Sequence, residues 1–241
     1  MENQIVKRRS IKILFLILFI SSEYQSLFSQ NYKGGPNYND FQTWENIFIE
    51  KKITRRFNIH INEEGRITEN ASLPSYIYTD LGLTYKFRKY LRFTIAYVPI
   101  AKRLPTDFIS YEHQFYVDFV IKIKYRNFIF YERQMVQSQY NDINRSATWN
   151  IPTYYLRNKI TIKYTSATHY VPYIAAELYY HDNYNQYDGV GNDRMRYYAG
   201  CFYELNKVDQ LELYYLIEPH FNIPASFTNF IVGVGFAHCL Y

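Results

Sequence analysis

Apolar and polar residues alternate almost without a break from residue 43 to the C-terminus, and that pattern leaves few folds open. Phe57, Ile59 and Ile61 alternate with Arg56, Asn58, His60, Asn62 and Glu64. The longest run sets Tyr111, His113, Phe115, Val117, Phe119, Ile121, Ile123 and Tyr125 against Glu112, Gln114, Tyr116, Asp118, Lys122, Lys124 and Arg126. A period of two belongs to the strand, whose successive side chains point to opposite faces. The same period opposes Leu81, Leu83, Tyr85 and Phe87 to Asp80, Thr84, Lys86 and Arg88, and Leu91, Phe93, Ile95 and Tyr97 to Arg92 and Thr94. It returns with Leu156, Ile160, Ile162 and Tyr164 against Arg157, Lys159 and Lys163, and blurs near Pro172, where Ile174 and Leu178 still oppose Glu177. Met195, Tyr197, Cys201 and Tyr203 oppose Arg194, Arg196, Gly200 and Glu204, Leu211 and Leu213 oppose Glu212, and Phe230, Val232 and Val234 oppose Gly233, Gly235 and Cys239. With weaker stretches at 43–50 and 128–137, eleven strands and no helix are predicted. The 28 tyrosines and 18 phenylalanines favour strands, and 48% apolar residues exclude a disordered chain.

Which face is wet decides the architecture. Short turns are expected at 51–54, 88–90, 126–127, 165–168 and 206–209, and longer polar loops at 63–74, 99–110, 137–152, 182–193 and 219–228. Short connections at one end, long ones at the other and a heavily charged strand face are the pattern of a membrane barrel with its apolar face outward. Tyrosines are then expected at both interfaces. The reading is therefore all-β: an antiparallel transmembrane up-and-down β-barrel of about 10–12 strands. Eleven strands conflict with the even number usual in single-chain bacterial barrels. Either 43–50 is not a full strand, leaving ten, or residues 31–40 add a twelfth. A barrel of this size has a narrow lumen, largely filled by its own side chains.

The N-terminus gives an address. Lys7, Arg8, Arg9 and Lys12 precede the apolar run from Ile13 to Ile20, the order of a secretory signal peptide and too short for a membrane anchor. The organisation is a signal peptide at 1–30, cut near Ser29 and Gln30, and an outer-membrane β-barrel domain at 31–241. No cysteine near the cut offers a site for lipid attachment. Residues 1–30 hold four of the 27 basic and two of the 22 acidic residues, so 23 face 20 in the mature chain, a net of +3. That balance argues against nucleic acid as a partner. The expected partners are outer-membrane lipid and, during biogenesis, the barrel-insertion machinery. Cys201 and Cys239 fall in different phases and are expected to be free thiols. The terminal Tyr241 supplies the aromatic end of an insertion signal, although it is out of phase with Phe236.

Chemistry is sparse. The six histidines are scattered, and His169 near Ser166 is the closest approach to a nucleophile–base pair. No ligand spacing for a metal occurs, and no cofactor is expected. Gly189 to Asp193, with Asp182 and Asp188 nearby, resembles a calcium loop faintly; a flexible loop is the default. The lumen is expected to hold a charge network in which Arg56, Arg66, Arg92, Arg126, Arg157 and Arg196 meet Asp80, Glu112, Asp118, Glu177, Glu204 and Glu212, because charges away from water need partners. The same charges could instead form a constriction for a small anionic or zwitterionic solute. The function expected is a non-enzymatic outer-membrane barrel of structural, binding or narrow-channel type. A lipid-modifying enzyme using His113 or His169 is one alternative. A secreted soluble barrel, with Phe115, Phe119 and Ile123 turned inward on an apolar ligand, is another.

Short motifs add a resemblance. Phe41-Gln42-Thr43-Trp44-Glu45-Asn46 opens a tryptophan strand that leads into the charged strand ending Glu64-Gly65-Arg66. Arg196, Gly200-Cys201-Phe202-Tyr203-Glu204-Leu205 and Leu211-Glu212-Leu213-Tyr214-Tyr215 follow near the other end. The set resembles the uncharacterised outer-membrane family called domain of unknown function 2490, common in Bacteroidota, over most of the mature chain. The resemblance implies a fold and a location, and no activity.

Overall fold

A computed structural model describes residues 39–104, 108–144, 146–147, 149–165, 168–182, 191–223 and 226–240. The expected signal peptide and its expected cleavage site, residues 31–38, Ser166, Asp188 and Tyr241 lie outside these residues. The faint calcium loop also lies largely outside them, and of Asp182 only the backbone is described. Eleven strands follow in order: β1 (Asn39–Lys52), β2 (Phe57–Thr68), β3 (Leu73–Arg88), β4 (Leu91–Arg103), β5 (Ile109–Tyr125), β6 (Phe128–Tyr140), β7 (Thr153–Tyr164), β8 (Tyr170–Asp182), β9 (Gly191–Glu204), β10 (Asp209–His220) and β11 (Phe227–Leu240). No helix occurs among the described residues. Every strand pairs with its neighbours in sequence, and β1 pairs with β11 to close the barrel.

Closure settles the parity question. In an up-and-down chain with an odd number of strands, the first and last run the same way, so the seam is parallel. The β1–β11 register runs from Asn39↔Thr228 to Lys51↔Leu240 without interruption, and every other pair is antiparallel. The barrel is thus mixed rather than wholly antiparallel, and β1 is a full strand of 14 residues. The count is neither ten nor twelve, because β1 already occupies the edge that a further strand would have needed.

The strands lean steeply. A row of paired residues that starts with Phe57 at the turn end of β2 passes through Tyr85, Phe93, Phe119, Gln134, Asn158 and Leu178 to Met195 near the other end of β9. A closed barrel needs such tilt and stagger. It also means that residues level along the axis are not those paired in one row.

The loops are shorter than polarity alone predicts, because polar rows continue the strands. β2 continues through Glu63, Glu64 and Arg66 to Thr68, leaving only 69–72 to connect it to β3; β4 reaches Arg103, and β6 reaches Tyr140. Polarity there marks which way a side chain faces, not where the ladder ends. The connections 104–108, 141–152 and 221–226 remain at that end, opposite the turns 53–56, 89–90, 126–127, 165–169 and 205–208. The 69–72 turn is tight: Glu69, Asn70 and Ala71 all have φ between 53° and 58°. Asp40 at the start of β1 holds it, accepting from the Asn70 N–H at 2.8 Å and the Glu69 N–H at 3.2 Å.

The barrel is apolar outside and charged inside. Ile47, Ile61, Phe115, Phe119, Ile174, Leu213 and Val234 are exposed on the outer face, while Glu64, Glu112, Asp118, Glu177, Arg196 and Glu218 are buried within. Phe115 and Phe119 therefore face away from the interior, which corrects the soluble alternative that needed them inside. Exposed tyrosines stand at both ends: Tyr125, Tyr164, Tyr170 and Tyr203 near the short turns, Tyr111 and Tyr154 near the longer connections. The abundance of tyrosine has a second use, for Tyr76, Tyr78, Tyr116, Tyr173, Tyr179, Tyr198 and Tyr214 pack inside.

Candidate functional site in the barrel interior

Strand alternation delivers one side chain in two to the interior, and there the charges meet in clusters. Glu177 on β8, with its side chain 1% exposed, is the hub of the largest. Arg133 Nη2 on β6 donates to its Oε1 at 2.6 Å and Arg157 Nε on β7 donates to the same oxygen at 2.9 Å. Arg157 Nη1 also donates to Gln137 Oε1 at 2.9 Å. On β9 and β10, Arg196 pairs with Glu218, whose other oxygen accepts from Asn229 at 3.0 Å and meets His220 Nε2 at 2.9 Å. On β2 and β3, Arg66 Nε donates to Glu64 Oε1 at 2.7 Å and the Tyr78 hydroxyl to Glu64 Oε2 at 2.9 Å. Asp80 accepts from the Tyr116 hydroxyl at 2.8 Å and faces His60 Nε2 at 3.3 Å.

Aromatic rings join these clusters. The Arg66 guanidinium lies 3.8 Å from the Trp44 ring centroid and 4.5 Å from that of Tyr76, and Arg196 lies 5.1 Å from Trp44 and 4.9 Å from Tyr179. Arg157 and Arg194 lie 4.4 and 4.3 Å from Tyr179. A guanidinium over an aromatic face keeps a favourable electrostatic contact after losing water. Trp44 Nε1 donates to Gln42 Oε1 at 2.9 Å, so its polar handle is also satisfied.

Two cavities remain in the lumen. The larger, about 580 Å³, lies towards the short turns and is lined by Glu50, Arg92, Asp118, Lys163, Phe202 and Cys239 among others. The smaller, about 350 Å³, is lined by Trp44, Arg66, Tyr76, Glu177, Arg194 and Arg196 among others. Asn46, Asn62, Asp80, Tyr116, Arg133, Lys159, Tyr173 and Glu212 line both, where the two cavities adjoin. The Lys163 ammonium lies 3.6 Å from the Phe202 ring and that of Lys159 3.8 Å from the Tyr198 ring.

The interior receives Arg66, Asp80, Glu112, Asp118, Arg157, Glu177, Arg196 and Glu212 from the twelve residues that the alternation singled out. Their pairing differs in detail, for Glu112 accepts from Gln139 at 2.7 Å and Glu212 from the Tyr173 hydroxyl. Arg56, Arg126 and Glu204 are not in the lumen. Arg56 is exposed at the β1–β2 turn and donates to the Tyr85 hydroxyl at 3.1 Å. Arg126 is exposed in the β5–β6 turn with φ 52°, and Glu204 is exposed at the end of β9. Arg92 lines the mouth of the larger cavity and is itself exposed. Each of these four has the phase of an inward residue but stands at or beyond the last rungs of the ladder. Arg133, Glu64, Glu218 and Arg194 are interior charges outside that expected network, although their phase carries the signal.

His113, a candidate base, points outward and bonds through Nδ1 to the Tyr97 hydroxyl at 2.7 Å. His169 sits in a turn with Nδ1 3.0 Å from the Glu204 carbonyl oxygen. No group of three metal-ligating residues occurs among the described residues. Cys201 and Cys239 are free, one facing outward and the other towards the larger cavity.

The motifs at the two ends of the chain converge here, Trp44 and Arg66 from one end meeting Arg196 from the other. A family model described as a protein of unknown function (DUF2490) matches residues 41–225, a span that includes all three. No curated protein matches the chain.

Proposed function

The chain belongs to the DUF2490 family of proteins of unknown function, and from that premise we propose that it is a non-enzymatic outer-membrane β-barrel. In this reading its lumen is a structural plug with a blind vestibule towards the short turns. It is exported by a signal peptide at 1–30, which is cleaved, and is inserted by the barrel-assembly machinery of a Gram-negative cell. The observation that carries the reading is the inverted polarity of a closed barrel. Large apolar side chains such as Leu213, 59% exposed, and Ile174, 58% exposed, cover the outside, while Glu177 and Arg196 are buried within. In water that arrangement forgoes the burial that drives folding; in lipid it is the stable one, and closure leaves no unpaired strand edge.

The non-enzymatic part rests on how the histidines are engaged. His60 meets Asp80, His113 meets Tyr97, His169 the Glu204 carbonyl, His220 meets Glu218 and His238 meets Asp209. Four of these contacts tether neighbouring strands or turns, and that of His220 lies within β10. The vestibule of about 580 Å³ has the size of a small-solute site. Its lining mixes cations (Arg92, Arg133, Lys159, Lys163) with carboxylates (Glu50, Asp80, Asp118, Glu212), which suits a small polar solute better than an acyl chain.

The test is fractionation of cells expressing the full chain, followed by electrophoresis of unheated and boiled samples. Recovery with the outer membrane and a heat-dependent shift in mobility is expected. Recovery in the soluble periplasm, or no shift, would overturn the reading.

A further inference from the structure

The outer face is interrupted by polar side chains at mid-height on β6 and β7. The outward row of β6 reads Phe128, Phe130, Glu132, Gln134, Val136, Ser138 and Tyr140, and that of β7 reads Tyr154, Leu156, Asn158, Ile160, Ile162 and Tyr164. The inward residues between them, Met135 and Gln137, are buried, whereas Val136 is 51% exposed, which fixes the facing. Gln134 and Asn158 stand opposite each other in register. Gln134 Nε2 donates to Glu132 Oε1 at 2.5 Å, and the Asn158 amide makes no side-chain hydrogen bond among the described residues. Aromatic residues close both rows at top and bottom, so the three polar groups lie within the apolar band and not at its edge. Facing hydrocarbon, an amide with open donors and acceptors is costly.

We propose that this β6–β7 face is where two copies of the chain associate within the membrane. The inference rests on the outer-membrane reading above. An amide carries both donor and acceptor and so matches a copy of itself. Two barrels inserted in the same direction and related by a two-fold axis along the membrane normal bring like depth to like depth, as an isologous contact requires. Gln134 and Asn158 then find amides at their own height, while Glu132 keeps its bond from Gln134. The flanking Val136, Leu156 and Ile160 supply the apolar surround. A second polar break, Glu45, Glu63 and Thr79 on β1 to β3, does not match itself. It offers two carboxylates, and its one hydroxyl already donates to Glu63 at 2.6 Å, so a copy of this patch would oppose acid with acid.

The test is disulfide cross-linking in isolated outer membranes of Val136→Cys, placed in a Cys201→Ser, Cys239→Ser background. A reducible band at twice the monomer mass is expected. Adding Gln134→Leu and Asn158→Leu should cut that band at least fivefold while the heat shift of the barrel persists, which separates lost association from lost folding. Wild-type chain reconstituted in lipid nanodiscs should likewise have the mass of a dimer. A barrel that keeps its heat shift but gives no Val136 dimer, or one whose cross-linking ignores the amide substitutions, overturns the inference and leaves the membrane reading standing. Cross-linking only to a Leu81→Cys partner would mean head-to-tail contact and overturns the two-fold arrangement. Recovery of the chain in the soluble fraction overturns the membrane reading, and the association with it.

Discussion

Glu177 binds two guanidinium groups in the barrel interior, and its removal distinguishes a structural network from a solute filter. Breaking a buried pair by deleting one partner costs about 3–5 kcal/mol, because the other charge stays buried and uncompensated. Glu177→Ala leaves Arg133 and Arg157 in that state and should lower the midpoint of denaturant unfolding in detergent by about that free energy. Adding Arg157→Leu should recover part of the loss, since the second substitution removes one of the stranded charges. A Glu177→Ala barrel as stable as wild type would mean that water already reaches the site. Glycine makes the converse point. A Cβ on Gly233 would sit 1.9 Å from Cζ of Tyr214, and one on Gly82 would sit 2.0 Å from the His60 ring. These glycines give inward rings a place to lie against the barrel wall. Alanine in a strand is ordinarily favoured over glycine, so the sign is informative: Gly233→Ala should destabilise by about 1–3 kcal/mol as Tyr214 is displaced, read by the same unfolding midpoint.

At the scale of elements, the β2–β3 turn carries local strain. Asparagine tolerates the left-handed region, whereas alanine does not, by about 1–2 kcal/mol. Ala71, with φ 58°, should therefore become more favourable as glycine, and Ala71→Gly is expected to raise the unfolding midpoint by up to about 1 kcal/mol once glycine's entropy is deducted. A neutral or negative effect would mean that the turn relaxes in solution. The same paired strands show what was legible in the sequence. Side-chain phase is a property of the sequence, so all eleven strands and the charged face could be read from it. Phase does not say how far a strand runs, and for that reason it predicts Arg56, Arg126 and Glu204 inside while they stand at turns or strand ends. The loop expected at 63–74 overlaps the end of the charged strand, and Glu63, Glu64 and Arg66 pair in the ladder. Arg133 and Glu218 had the correct phase, yet their partners lie on other strands. The meeting of Trp44, Arg66 and Arg196 depends on the β1–β11 seam, which joins residues nearly 200 apart and leaves no local trace in the alternation.

For the whole molecule, the seam and the plug belong to one argument. An odd barrel must close in parallel, and the thirteen consecutive pairs of the β1–β11 register make that seam as long as the antiparallel ones. The wall is therefore complete, and passage through the barrel depends only on what fills it. The two cavities adjoin at a shared layer of side chains, in which Tyr116 and Tyr173 are the large rings. Tyr116 reaches Asp80 from β5 and Tyr173 reaches Glu212 from β8, so each ring spans part of the lumen to a carboxylate on another strand. The wild-type barrel in a planar bilayer should show no steady conductance. Tyr116→Ala with Tyr173→Ala removes both rings, joins the vestibule to the upper cavity, and should produce discrete open levels. Tyr131→Ala, which enlarges the vestibule at a ring facing Lys122 and Lys163 and outside the shared layer, should leave the bilayer silent. The heat shift of each variant confirms that a folded barrel was measured. Wild-type conductance at the level of the double variant would show the layer to be open already, and the lumen would then be a channel and not a plug.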